Sequence, residues 1–139
     1  LTAAEIAARL PAGCDAEACP EAVELAWGDL SLAAVEANLR GARALFVGEH
    51  PGQPDQVGFD ALLIEEGAED LATQVIGEFD AAIAAVAAIE GPLAEAVVER
   101  PEQVADAHAK VQALTTSLKT RFITVLNLTL PQEGAADND

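Results

Sequence analysis

At 139 residues the chain holds one domain with a real core and falls short of two ordinary ones. Hydrophobic residues make up 51%, dominated by alanine with only four Phe and one Trp, a profile that favours close-packed helices and argues against β-rich architectures. A net charge of −17 with only seven Lys and Arg repels phosphate backbones and anionic membrane surfaces, which excludes nucleic acid as a partner and reads most simply as a solvated acidic surface.

No window approaches the roughly 18 consecutive apolar residues of a membrane span, since the Ala-rich run Ala81 to Ile89 is flanked by Asp80 and Glu90. Methionine is absent, including from position 1, so the chain is expected to be a processed product or a fragment, with a signal or lipid anchor in what was removed. Thr2 and Glu5 form a capping box for a short helix that ends near Leu10, before Pro11-Ala12-Gly13. Cys14 and Cys19 follow in a Gly/Pro-bounded loop whose spacing permits a local disulfide, with free thiols as the alternative; zinc would need two further ligands that the segment does not offer. A disulfide would place the protein outside the cytoplasm.

Pro20 suits a first helical position, and the residues to Trp27 predict a brief helix stopped at Gly28, with Trp27 read as a core anchor. Asp29 or Ser31 is expected to cap the next helix, whose apolar residues Leu32, Val35, Leu39, Ala42 and Phe46 recur at threes and fours. On its polar flank Glu36 precedes Arg40 by one turn and Arg43 by two, which predicts local ion pairs.

Gly48 to Gly58 contains three Gly and two Pro and is the main surface loop. It carries Glu49 and His50, a pair able to ligate a metal, although a loop histidine is more often simply solvated. A short helix follows from Phe59 to Glu66 with Leu62, Leu63 and Ile64, broken by Gly67.

Two long amphipathic helices then organise the chain. In the first, Leu71, Val75, Phe79, Ala82, Ile83, Val86 and Ile89 form one stripe, with Asp70, Thr73 and Asp80 away from it. Gly91-Pro92 ends it, a segment Leu93 to Glu99 intervenes, and Arg100-Pro101 turns the chain into the second. There Val104, Ala107, Val111, Leu114, Leu118, Phe122 and Val125 predict a continuous stripe, with Asp106, Lys110, Ser117 and Thr124 opposite. His108 falls at the edge of the stripe, as a half-buried hydrogen-bonder or a ligand pointing into a cleft. Leu128 and Leu130 alternate as in an extended tail, and residues 131–139 read as a mobile acidic end.

Helix count and short connectors predict an all-α, up-and-down bundle of about four helices with short extra helices and a Gly/Pro-rich loop. The division expected is a single domain over 1–139, with an N-terminal segment 1–28 bearing the cysteine loop, a bundle over 29–130 and the tail. No phosphate loop, nucleophile elbow, zinc-peptidase motif or di-iron Glu-x-x-His pattern occurs.

Asn38-Leu39-Arg40-Gly41, Leu45-Phe46-Val47-Gly48, Phe59-Asp60-Ala61-Leu62-Leu63, Asp70-Leu71, Leu114-Thr115-Thr116-Ser117-Leu118 and Leu126-Asn127-Leu128-Thr129-Leu130 occur in an order that resembles the C-terminal half of the imelysin family. That resemblance implies a periplasmic or outer-membrane-associated helical protein, linked to iron uptake or to metallopeptidase activity. The family's Gly-x-His-x-x-Glu motif is incomplete: Gly48-Glu49-His50 begins like it, but Gln53 stands where the motif has Glu. No catalytic residue carries over. The resemblance implies a domain that binds iron or another divalent metal, or a partner protein of a metal-uptake system; the candidate metal ligands, His50, His108 and Glu49, come from residue type and position and not from the family. The competing readings are a metallopeptidase completed by a missing N-terminal half, and a docking module that pairs with another helical domain.

Overall fold

A computed structural model describes residues 20, 23, 29–49, 52 and 56–128. Among them the chain is all-α and builds a helical bundle, as the composition predicted. Helix α1 spans Ser31–Val47, α2 Phe59–Glu65, α3 Glu69–Ala87, α4 Leu93–Glu99 and α5 Pro101–Ser117. The last of these runs on through a π-helical turn, Leu118–Phe122, into a final helical turn α6, Ile123–Val125. The expected helix over 2–10, the cysteine loop, Trp27 and residues 129–139 lie outside the described residues.

Helix α3 is the centre of the bundle, packed against α1 on one side and α5 on the other. Its predicted stripe is buried throughout, from Leu71 to Ile89, while Asp70, Thr73 and Asp80 are exposed. Helices α3 and α5 run antiparallel. The Glu90 N–H, beyond the end of α3, donates to Gln103 Oε1 at the start of α5 over 3.2 Å, and Gln74 near the start of α3 meets Ser117 at the end of α5. Fully buried alanines, Ala82 in α3, Ala96 in α4 and Ala107 in α5, allow close approach of the helices without large side chains.

Side-chain burial, and not capping, holds these helices. Each buried Leu, Val or Phe contributes about 1.5–3 kcal/mol over exposure, whereas none of α1 to α5 has a side-chain cap bond at its N-terminus. The cap expected on α1 is corrected accordingly: Leu30 occupies the cap position, Asp29 sits in the left-handed region at φ 52°, and Ser31 is the first helical residue, buried at 7% exposure. Carboxylates in the first turns of α2 to α5, among them Asp60, Asp70, Glu95 and Glu102, instead complement the helix dipoles.

The C-terminal ends are set by backbone geometry. At α1, Gly48 adopts φ 72° and the Glu49 N–H closes on the Ala44 carbonyl at 2.8 Å. At α6, Asn127 takes the left-handed position at φ 50°, with Leu128 N–H bonded to Ile123 O and Asn127 N–H to Thr124 O, a Schellman arrangement.

Two expectations fail in the last helix. The stripe does not continue unbroken for six turns: at Leu118 the helix widens into the π turn, and Leu118, Phe122 and Val125 are only partly buried. Hydroxyls of Thr116, Thr120 and Thr124 each donate to the carbonyl four residues back, at 2.6–2.8 Å, and such back-bonding competes with the regular ladder and bends helices. Ser117, expected on the solvent side, is buried at 6% exposure. It lies three residues after Leu114 on the packed face, and α3 supplies polar partners there. In α2, of the three expected apolar residues only Leu63 is buried; Leu62 and Ile64 face outward.

Candidate functional site

The loop that carries Glu49 and His50 is closed by two glycines pressed backbone to backbone. A Cβ on Gly48 would collide with the Gln56 carbonyl, and one on Gly58 with the Phe46 carbonyl and the Gly48 nitrogen. The chain therefore leaves α1 and re-enters at α2 through one point. Beside it Arg43 reaches across to α3, its Nε 2.7 Å from Asp80 Oδ1, and its Nη1 lies 3.5 Å from Glu49 Oε2. The local pairing expected on α1 holds for Glu36 and Arg40, 2.6 Å apart, but Arg43 bridges helices instead of meeting Glu36. The shallow depression around Arg43 has a volume of 420 Å³ and is walled by Arg40, Glu49, Asp80, Ile83, Ala84 and Ala87.

Of the residues singled out as metal ligands, Glu49 is exposed and already shares a guanidinium, and His108 is half-buried on α5, as its place at the stripe edge predicted. His50, Cys14 and Cys19 lie outside the described residues. No group of three His, Cys, Asp or Glu side chains able to hold a metal is assembled among the described residues. A metal at the end of α1 would have to draw Glu49 away from Arg43 and take further ligands from other elements or from outside the described residues.

A second site was not read from the sequence. All four phenylalanines, each from a different element, converge at one end of the bundle: Phe46 of α1, Phe59 of α2, Phe79 of α3 and Phe122 of the π turn. Ring centroids stand 5.8 Å apart for Phe46 and Phe79, 6.1 Å for Phe46 and Phe122, and 5.6 Å for Phe59 and Phe122, the last pair edge to face. Such contacts add to the burial term. They border an open groove of 350 Å³ walled also by Ala42, Leu45, Leu118 and Ile123, with Lys119 its one charged lining residue. Position along the chain gave no signal for this meeting, since the four rings are brought together by the glycine contact, the α1–α3 packing and the π turn.

Next to the groove runs a polar network. Ser117 Oγ donates to Glu78 Oε1 at 3.0 Å, Gln74 Nε2 donates to the same oxygen at 2.7 Å, and Arg121 donates to Gln74 Oε1. The other carboxylate oxygen of Glu78 is buried with no hydrogen-bond partner. This network ties α3 to the junction of α5 and the π turn, and it fixes the turn's orientation over the groove.

The family model described as Imelysin matches residues 2–121. No curated protein and no solved structure matches the chain.

Proposed function

This chain belongs to the imelysin family, and from that premise we propose that it is a binding domain of a metal-uptake system outside the cytoplasm, with iron as the ion. The observation that carries the reading is the match to the family over residues 2–121, most of the chain. The incomplete Gly-x-His-x-x-Glu motif, with Gln53 in the Glu position, favours binding over peptide hydrolysis. The ligand set proposed is His50 with Glu49 and His108, and Arg43 is its competitor, because a guanidinium 3.5 Å from Glu49 opposes a cation at the same carboxylate.

Titration of the protein, purified without chelator, with iron, zinc and copper tests this. The reading expects stoichiometric binding that His50→Ala or His108→Ala weakens and Arg43→Ala strengthens. Absence of binding at micromolar metal would remove the metal role.

A second reading, a docking module that pairs with another helical domain, is favoured by one observation. Helix α2 and the residue pair before it present Val57, Phe59, Leu62 and Ile64 at 41–77% exposure, a cluster of apolar side chains beyond what isolated surface residues need. That reading expects a dimer or heteromeric complex by light scattering, unchanged by chelator.

A further inference from the structure

We propose that helix α2 is the docking surface for a cationic amphipathic helix of another protein, with Phe59 and Leu62 as its apolar anchors and Glu65 and Glu66 as its charge contacts. The inference rests on the docking reading and names the chemistry of the partner. Leu63 is the buried residue that seats α2 on the bundle. At about 100° per residue, Phe59 and Leu62 fall on one shoulder of that seat, and Glu65 and Glu66 continue the shoulder one turn on. All four are exposed. Ile64 lies on the opposite shoulder with Asp60 and is outside the strip. Phe59 is fixed by its edge-to-face contact with Phe122, so one anchor is in place before a partner arrives.

Charge selects the partner. From residue 44 to residue 99 the chain has no Lys or Arg, and Glu65 and Glu66 are in no ion pair among the described residues. Their own helix does not favour them either. They close the C-terminal end of α2, where the helix dipole carries partial negative charge. Glu69 and Asp70, exposed just beyond, at least complement the start of α3, whereas Glu65 and Glu66 complement nothing local. Side chains that break a local rule are expected where a partner supplies the compensation. A second copy docked on this strip about a two-fold axis would bring the same carboxylates face to face, and an anionic lipid surface would repel them. A small molecule finds no enclosure on the convex flank of a helix. A helix with Lys or Arg beside an apolar stripe meets both halves of the strip, at the three- and four-residue spacing the strip presents.

Fluorescence anisotropy with the full chain tests this, using a labelled helical peptide of about 18 residues that carries one Leu stripe flanked by Lys. Two controls accompany it: a twin with Glu for every Lys, and the Lys peptide with its Leu positions scrambled off one face. The expected result is one saturable site for the striped Lys peptide alone, weakening with salt. Leu62→Gln is expected to weaken it about ten-fold with an unchanged melting curve. Glu65→Gln with Glu66→Gln is expected to weaken it about ten-fold while raising the melting temperature, because the end of α2 loses two misplaced charges. The same charge change at the other end of α3, Glu90→Gln with Glu102→Gln, is expected to weaken it by less than about two-fold. Equal weakening by the two pairs, or a scrambled peptide bound as tightly as the striped one, would show general attraction to an acidic chain and overturns the proposal. A Glu twin bound as tightly as the Lys peptide and weakened by Leu62→Gln overturns it too, but leaves docking through α2 standing. No saturable site for any of the three peptides removes the docking reading with it. A dimer in sedimentation that Leu62→Gln dissolves would put a second copy on the strip and equally overturn the proposal.

Discussion

Three glycines respond to one substitution in opposite directions, because their surroundings differ. Gly41 in α1 and Gly77 in α3 are exposed helix-interior positions, and a Cβ on either meets nothing within 4 Å. Alanine there restricts the unfolded chain without a clash, so each change is expected to stabilise by about 0.5–1 kcal/mol in urea denaturation. Gly58→Ala drives a methyl into the Phe46 carbonyl and is expected to cost about 2 kcal/mol or more. If all three moved stability the same way, the backbone contact between Gly48 and Gly58 would be wrong. Arg43 is the other residue whose role rests on its surroundings. Its pair with Asp80 is half-screened by water, with side chains 27% and 57% exposed, so a double-mutant cycle on Arg43→Ala and Asp80→Asn is expected to give at most about 1 kcal/mol, falling with salt. The sequence showed Arg43 near Glu36 and could not show Asp80, 37 residues away, because an ion pair between helices depends on which faces meet.

At the scale of elements, the amphipathic stripes were legible and their interruptions were not. Leu71 to Ile89 repeat with the helix period, and burial follows that period because one face of α3 meets α1 and another α5. The π turn at Leu118–Phe122 leaves no such mark. It arises where three threonine hydroxyls bond back to the main chain, and it decides where Phe122 and Lys119 point. Helix α2 was legible as a helix but not as a weakly anchored one: Leu63, with 0% exposure, is its single buried residue. Leu63→Ala is therefore expected to cost about 2–5 kcal/mol and to raise hydrogen exchange in α2 before α3. Equal loss of protection in both helices would mean that α2 is part of the same cooperative unit.

For the whole molecule, charge and family membership pull in different directions. A net charge of −17 on a bundle this small repels itself, so thermal stability is expected to rise as sodium chloride goes from about 0.05 M to 0.5 M, where the Debye length shrinks several-fold. A melting temperature that fell with salt would mean that ion pairs such as Arg43 with Asp80 outweigh the self-repulsion. The same acidity attracts metal ions without selecting one, which is why the resemblance to the imelysin family, and not composition, carried the functional reading. The sequence pointed to Glu49, His50 and His108 through residue type alone; the fold adds that Arg43 already occupies Glu49. The groove of four phenylalanines was hidden for the opposite reason, since no residue in it is chemically unusual and only the packing makes a site of it.

The central claim, that this domain binds a metal ion, is met most directly by a native mass spectrum of the protein purified without chelator and then given one equivalent of iron. The account predicts a single added ion per chain, lost when His50 or His108 is replaced by alanine. A spectrum of the bare chain at micromolar iron, in the wild type and in Arg43→Ala alike, would contradict it.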